Sequence, residues 1–363
     1  MKNWKRKSVN PSTDPSVKLR LKISLPSNRL VVLLLLLSVV LGCKHQQTSK
    51  STEEGTVSAN DPLAEINIKL QRDSLNFVLI NQRARHYVET QQYDKAFRDI
   101  NKGLGINPNY VDLYLTLADL YLSLGQVEQG SGALMKANEI APDDARPLVK
   151  LSELSLVLGN HNLARSFSDK ALEISSFNPD AYYVRGMIFL DKGDTLSAIK
   201  NLLLAVDQNE NHFNALLQAG AIYSSMGNPL AEGFMLRAVE RFPGSLKARY
   251  QLGLHYQEHN LTDKAIAHYD TILMVAPSNK FALYNLGYIY LVYLERYEQA
   301  FQYFEEVLQV DPGYLDALYN KGRALEAMGR YVDARQVYQD VVRQQDNYPL
   351  AIEALNRLDR IGR

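Results

Sequence analysis

Two series of small residues recur along this chain on a fixed beat, and that beat limits the fold more than any other feature. One series reads Ala84, Ala118, Ser152, Gly186, Gly220, Gly253, Gly287 and Gly322. The other reads Ala96, Gly130, Ala164, Ala198, Ala231, Ala265, Ala300 and Ala334. Units framed on them start at Phe77, Val111, Ala145, Pro179, Phe213, Leu246, Lys280 and Leu315, at spacings of 34, 34, 34, 34, 33, 34 and 35 residues. The stretch from Leu246 to Asn279 shows what one unit is. Leu252, Gly253 and Tyr256 share one face of a first helix, and Ala265, Tyr269 and Ile272 share one face of a second. Spacings of three and four are the helical period. Asn260 sits between the halves, where a turn needs a residue that tolerates a left-handed backbone. Pro277 then stops the second helix. Gly253 and Ala265 lie where the two helices cross, so a larger side chain there would force the backbones apart. One hairpin cannot bury its own apolar face, so the units must stack.

A large residue, then Leu-Gly, Tyr, Ala, an aromatic, Ala and Pro over 34 residues resembles the tetratricopeptide repeat. The resemblance covers residues 77 to 347. It implies an all-α fold, a right-handed superhelical solenoid of about eight helix hairpins. The large first position is never Trp, and in the sixth unit it is Arg249. The closing Pro is missing from the third, fourth and eighth units, and the frame places the fifth unit one residue short in its turn and the seventh one long. Residues 62–76, with Leu63, Ile66, Leu70 and Leu75, read as a capping helix before the array. Residues 348–363 read as a second cap, with Ile352, Leu355 and Leu358 on one face and charges on the other.

Residues 1–42 read as a targeting segment. Lys2, Lys5, Arg6, Lys7, Lys18, Arg20, Lys22 and Arg29 precede an apolar run from Leu30 to Leu41, too short to span a bilayer as a helix. Val40-Leu41-Gly42-Cys43 is similar to the lipobox of bacterial lipoproteins, which implies cleavage before a cysteine that then carries acyl chains such as palmitate. Cys43 is the only cysteine, so the fold needs no internal disulfide in an oxidising compartment. Each buried acyl methylene contributes about 0.8 kcal/mol, and two chains anchor stably. Residues 44–61 are polar and without period, a flexible tether after the lipidated residue. No Asp follows Cys43 to resemble an inner-membrane retention signal, which leads to the expectation of an outer-membrane lipoprotein facing the periplasm.

The whole chain has 40 basic and 40 acidic residues. Eight basic residues and one acidic residue precede Cys43, which leaves 32 against 39, a balance of −7. That disfavours nucleic acid as the main partner. Nothing in the sequence assembles an enzyme. Gly130-Ser131-Gly132 lies inside an expected helix, so it is no phosphate loop. His255 and His259 share a helix face, yet no third ligand stands at suitable spacing, and they read as half-exposed residues flanking Tyr256, not as a metal site. Asp112, Asp119, and Glu153 with Arg146 read as solvated groove charges. No cofactor is expected.

What remains is a surface. In the resembled family the first helices line a concave groove. Carried over place by place, that groove holds Tyr183, Tyr250, Gln251, Leu254, Tyr284, Asn285, Tyr288, Tyr319, Asn320 and Arg323. Tyrosine offers large contact area at low entropic cost, and amides can pair with an extended backbone. Asn285 and Asn320 stand where peptide-binding relatives carry such an amide. Packing between neighbouring repeats is the other use of these tyrosines. Arg323 is the lone cation, so recognition of a free carboxyl terminus is not expected. The sequence thus points to a membrane-anchored scaffold or adaptor for other envelope proteins in assembly, secretion or proteolysis, holding an extended or helical segment. A glycan- or small-ligand-binding outer-membrane lipoprotein is the alternative, although the only tryptophan, Trp4, precedes Cys43.

Overall fold

The computed structural model describes residues 62–361. The expected leader, Cys43 and the tether lie outside the described residues. Eighteen helices and no strand occur among the described residues. They fall into two bodies that divide between His212 and Phe213.

The first body opens on α1 (Pro62–Arg72). Four antiparallel hairpins follow: α2 (Phe77–Glu89) with α3 (Tyr93–Ile106), α4 (Val111–Ser123) with α5 (Val127–Ile140), α6 (Ala145–Val157) with α7 (His161–Ile174), and α8 (Pro179–Asp191) with α9 (Thr195–Gln208). The second body holds four more: α10 (Phe213–Ser225) with α11 (Leu230–Arg241), α12 (Leu246–Glu258) with α13 (Thr262–Val275), α14 (Lys280–Val292) with α15 (Tyr297–Val310), and α16 (Leu315–Ala327) with α17 (Tyr331–Gln344). It closes on α18 (Pro349–Ile361). Within each body a second helix also packs against the next first helix, and first helices touch their successors.

Size matching at the crossings holds each hairpin together. Where the first helix offers Ala84 or Ala118, the second brings Ile100 or Leu134, and all four are fully buried. Opposite glycine stands Leu202 in the fourth unit, Met235 in the fifth, and an aromatic ring in the last three. A Cβ on Gly186 would lie 3.0 Å from Leu202 Cγ, on Gly253 2.9 Å from Tyr269 Cε1, on Gly287 2.9 Å from Phe304 Cε1, and on Gly322 2.5 Å from Tyr338 Cε1. The bulk removed from one helix is returned by the other, which keeps the core at close-packed density. Ser152 adds a polar variant, its hydroxyl donating to the Ala164 carbonyl at 2.6 Å.

The turn between helices repeats as well. Gly125, Gly159, Gly193, Gly227 and Gly329 all take positive φ, between 63° and 79°. Gln91, Asn260 and Glu295 occupy the corresponding place at 59°, 59° and 52°. The left-handed residue lets a following N–H reach back, as Leu261 does to the Tyr256 carbonyl at 2.8 Å. In the fifth unit the missing residue comes from the second helix and not from the turn. α11 has 12 residues where its equivalents have 14, and Pro229 sits at its start, where a missing N–H costs nothing. In the seventh unit the extra residue lies in the turn after Val292, where the Arg296 N–H reaches the Tyr290 carbonyl at 2.8 Å.

Both flanking helices differ in detail from their sequence reading. α1 ends at Arg72, which leaves Leu75 beyond it and 64% exposed, while Leu70 is buried. Arg83 ties α1 down. Its Nη1 donates to Asn67 at 2.9 Å while Nε and Nη2 fork onto Asp99 at 2.7 and 2.8 Å. In α18 the buried face is Ala351, Ala354 and Leu358, and Ile352 stands exposed. Small residues let that helix sit close, and Ile352 lies one position off the stripe.

Candidate interaction face

The first helices bring equivalent places of successive repeats side by side, and a ladder of bonds one repeat apart joins them. In the second body Asn285 Nδ2 donates to Tyr250 Oη at 2.9 Å, and Asn320 Nδ2 donates to Tyr284 Oη at 2.8 Å. In the first, Thr116 donates to Asn81 Oδ1 at 2.8 Å. All three pairs join the fifth place of one unit to the sixth of the next.

This changes the reading of the expected groove residues. Asn285 and Asn320 are both 1% exposed, and their amides serve the junction between repeats instead of standing open to a peptide backbone. Tyr284, Tyr288 and Tyr319 are buried too. Tyr284 packs edge-on against Tyr314 at 5.2 Å, and Tyr319 lies between Tyr338 and Tyr348 at 5.7 and 5.6 Å. The physical reason is that a hydroxyl on a long flat ring reaches the neighbouring amide, and burial of both strengthens the bond. Tyr183, Tyr250, Gln251, Leu254 and Arg323 remain half-buried. Arg323 donates from Nη1 to Asn320 Oδ1 at 3.0 Å.

Charged residues add further contacts in the first body. Arg146 Nη1 reaches Asp112 at 2.6 Å, and its Nε and Nη2 fork onto Asp144, so Arg146 and Asp112, expected as solvated groove charges, are tied to one another. Lys150 Nζ lies 2.7 Å from Asp119, and His212 Nε2 lies 3.0 Å from Asp180. The His212 ring also rests against Tyr183 at 5.2 Å. The hydrogen bond from His212 holds the Asp180 carboxyl below its usual range. Glu153 stands among these groups. Burial pushes its carboxyl up to about 7; Lys150 and His212 oppose the shift while Asp180 and Asp119 add to it. Burial, and then the Glu153 charge, pushes the Tyr183 hydroxyl up to about 12.

The histidine pair of the sixth unit is not half-exposed as expected. His255 is buried, with Nδ1 2.7 Å from Ser224 Oγ, and burial followed by the His259 charge holds it below the usual imidazole range. His259 is exposed and turns its Nδ1 onto the His255 carbonyl at 2.8 Å. Among the described residues no group of three or more His, Cys, Asp or Glu could hold a metal ion, and no helix is long and apolar enough to cross a membrane.

A family profile described as Tetratricopeptide repeat matches residues 87–154 and 291–358, and a second of the same description matches 179–212. The chain is built of tetratricopeptide repeats. It is 19% identical over 335 residues to human DnaJ homolog subfamily C member 3, covering 83% of this chain and 66% of that protein. It is 23% identical over 226 residues to human Protein O-mannosyl-transferase TMTC3, covering 61% of this chain and 25% of that one. A third relative, bovine BBSome complex member BBS4, is 24% identical over 68% of this chain and 48% of its own length. The chain thus spans a quarter and about half of the last two, and the transferase activity named for TMTC3 belongs to that protein. Among solved structures, a chain of the APC/C hetero-tetramer Cut9-Hcn1 aligns with a TM-score of 0.57 at 18% identity, over 72% of this chain and 52% of its own. The C-terminal part of a TPR repeat-containing protein from Cytophaga hutchinsonii aligns at 0.52 and 19% identity, over 66% of this chain and 98% of its own. These alignments show the fold. Repeat folds of this kind present extended binding surfaces, and the architecture supports a protein–protein interaction scaffold.

Proposed function

We propose that this chain is a docking scaffold for other envelope proteins, anchored to a membrane by lipid on Cys43 and working on the periplasmic side of the outer membrane. The observation that carries the reading is the one-repeat ladder. Asn285 with Tyr250 and Asn320 with Tyr284 lock neighbouring first helices of the second body in register, so the half-buried Gln251, Leu254 and Arg323 beside them form a fixed surface. A preorganised surface loses little entropy when a partner segment settles on it. The lipid would set where that surface works and the polar tether its reach. A C-terminal carboxylate is a poor candidate ligand, since Arg323 already donates to Asn320.

Two measurements test this. Site-specific photo-crosslinkers at Leu254 and Gln251 should trap the same envelope protein in living cells, whereas one at Met135 on a second helix should not. Equal trapping from all three, or none from the first two, overturns the docking reading. Radiolabelled palmitate should enter the chain and be lost in Cys43→Ser, with the protein leaving the membrane fraction. Labelling that persists in the variant removes the anchor.

A further inference from the structure

The first body carries one carboxylate that its own fold does not use. Arg146, Asp112 and Asp144 satisfy one another, Lys150 pairs with Asp119, and His212 pairs with Asp180. Glu153 makes no hydrogen bond or ion pair with any described residue, although it stands at the ninth place of the first helix α6, close enough to Asp119 on α4 and Asp180 on α8 to feel both charges. The neighbouring Tyr183 hydroxyl on α8 likewise has no hydrogen-bond partner among the described residues. Both side chains are half-buried, so each keeps some opening to solvent while paying part of the cost of leaving water.

We propose that Glu153 and Tyr183 form the place on the first helices of the first body that receives a lysine or arginine side chain of a docked segment. The inference rests on the docking reading above. Lys150 and His212 already match Asp119 and Asp180, so Glu153 is the carboxylate left over, and it favours an incoming cation over an anion. Lys150 makes its ion pair with Asp119 at 2.7 Å and none with Glu153. A guanidinium entering between α6 and α8 would donate to the Glu153 carboxylate and to the Tyr183 oxygen, and its stem would lie along the Tyr183 ring. A neutral donor would satisfy the hydrogen bonds but not the charge.

The test uses the full chain in detergent and a fluorescein-labelled, end-capped decapeptide of glycine and serine with two arginines at its centre, followed by fluorescence anisotropy at low salt. The arginine peptide should bind saturably. Versions with norleucine or glutamate in place of arginine should bind about tenfold more weakly or less, since a partly buried charge pair is worth one to a few kcal/mol. Glu153→Gln, nearly isosteric, should lose about tenfold for the arginine peptide and little for the norleucine peptide, and Tyr183→Phe should lose about threefold. Glu298→Gln, an acidic residue on the second helix α15, should change nothing. A thermal melt confirms that each variant is folded. Absence of saturable arginine binding, equal binding of the glutamate peptide, or unchanged affinity in folded Glu153→Gln each overturns the assignment. None of these results touches the crosslinking outcome at Leu254, so the docking reading stands or falls separately.

Discussion

Asn320 donates its amide to the Tyr284 hydroxyl at 2.8 Å, 36 residues away in sequence and one repeat away in space. Asn285 does the same to Tyr250 at 2.9 Å. Two successive junctions of the second body therefore share one bond in one register. Tyr284→Phe removes the acceptor and leaves a buried N–H behind, which should cost about 1–2 kcal/mol in urea unfolding. Tyr284→Phe combined with Asn320→Leu should recover part of that loss, because the buried N–H is gone and the half-buried Arg323, which loses Asn320 Oδ1, can turn to water. A double variant as unstable as the summed singles would show that the two residues are not coupled.

The glycine crossings make a sharper forecast. Helix propensity by itself would favour Gly287→Ala by about 1 kcal/mol, since the position is helical. The added Cβ would instead meet Phe304 Cε1 at 2.9 Å and further ring atoms at 3.1 Å. Overpacking of this kind costs about 1–3 kcal/mol, so the net effect should be destabilising or near zero. Phe304→Leu in the same chain should turn the alanine into a gain, since Ala118 opposite Leu134 is a pair this protein already uses. Thermal melts of the two singles and the double decide it. A double no better than Phe304→Leu alone would remove the size-matching argument.

These pairs also show what could be read before any coordinates. The beat of small residues reports helix crossings directly, because a backbone contact demands a small side chain whatever surrounds it. The amide–tyrosine ladder was hidden for a different reason. Asn285 at the sixth place and Tyr250 at the fifth look equally suited to face outward or sideways, and only the spacing between neighbouring helices decides. The same applies to Arg146, which reads as a solvated groove charge and instead ties Asp112 to Asp144. Ile352 was misplaced on the buried face because an apolar residue and two alanines compete for it, and close packing favours the alanines. Glu153 gave no signal in the sequence beyond its place in the frame, since what distinguishes it is the pairing of every charge around it.

The turns allow substitutions that raise stability. Glu295 takes φ 52°, a conformation that costs an ordinary residue about 1 kcal/mol or more. Glu295→Gly should therefore stabilise the second body by roughly 0.5–1 kcal/mol. Asn260→Gly should gain less, because asparagine tolerates the left-handed region. Gly329→Ala, at φ 77°, should lose about 1 kcal/mol. Chemical denaturation of the three variants should rank them in that order; a loss in Glu295→Gly would mean that its side chain contributes more than its backbone costs.

Glu153 links stability to pH. Its carboxyl sits at about 7 in the folded chain against an ordinary 4.5, so the folded state holds the proton more tightly than the unfolded one over that range. Stability from this group is fully present below about 4.5 and is lost as pH rises through about 7. Glu153→Gln removes the dependence. The variant should match the parent near pH 4 and exceed it at pH 8 by on the order of 1–3 kcal/mol, at one pKa unit per 1.36 kcal/mol. Unfolding curves at several pH values measure the difference. A parent and variant that run parallel across pH 5 to 8 would place Glu153 in ordinary solvent. A variant that is more stable at pH 8 yet fails to bind the arginine peptide would show that the chain carries an unpaired carboxylate at a cost to its own stability and that the incoming cation offsets it.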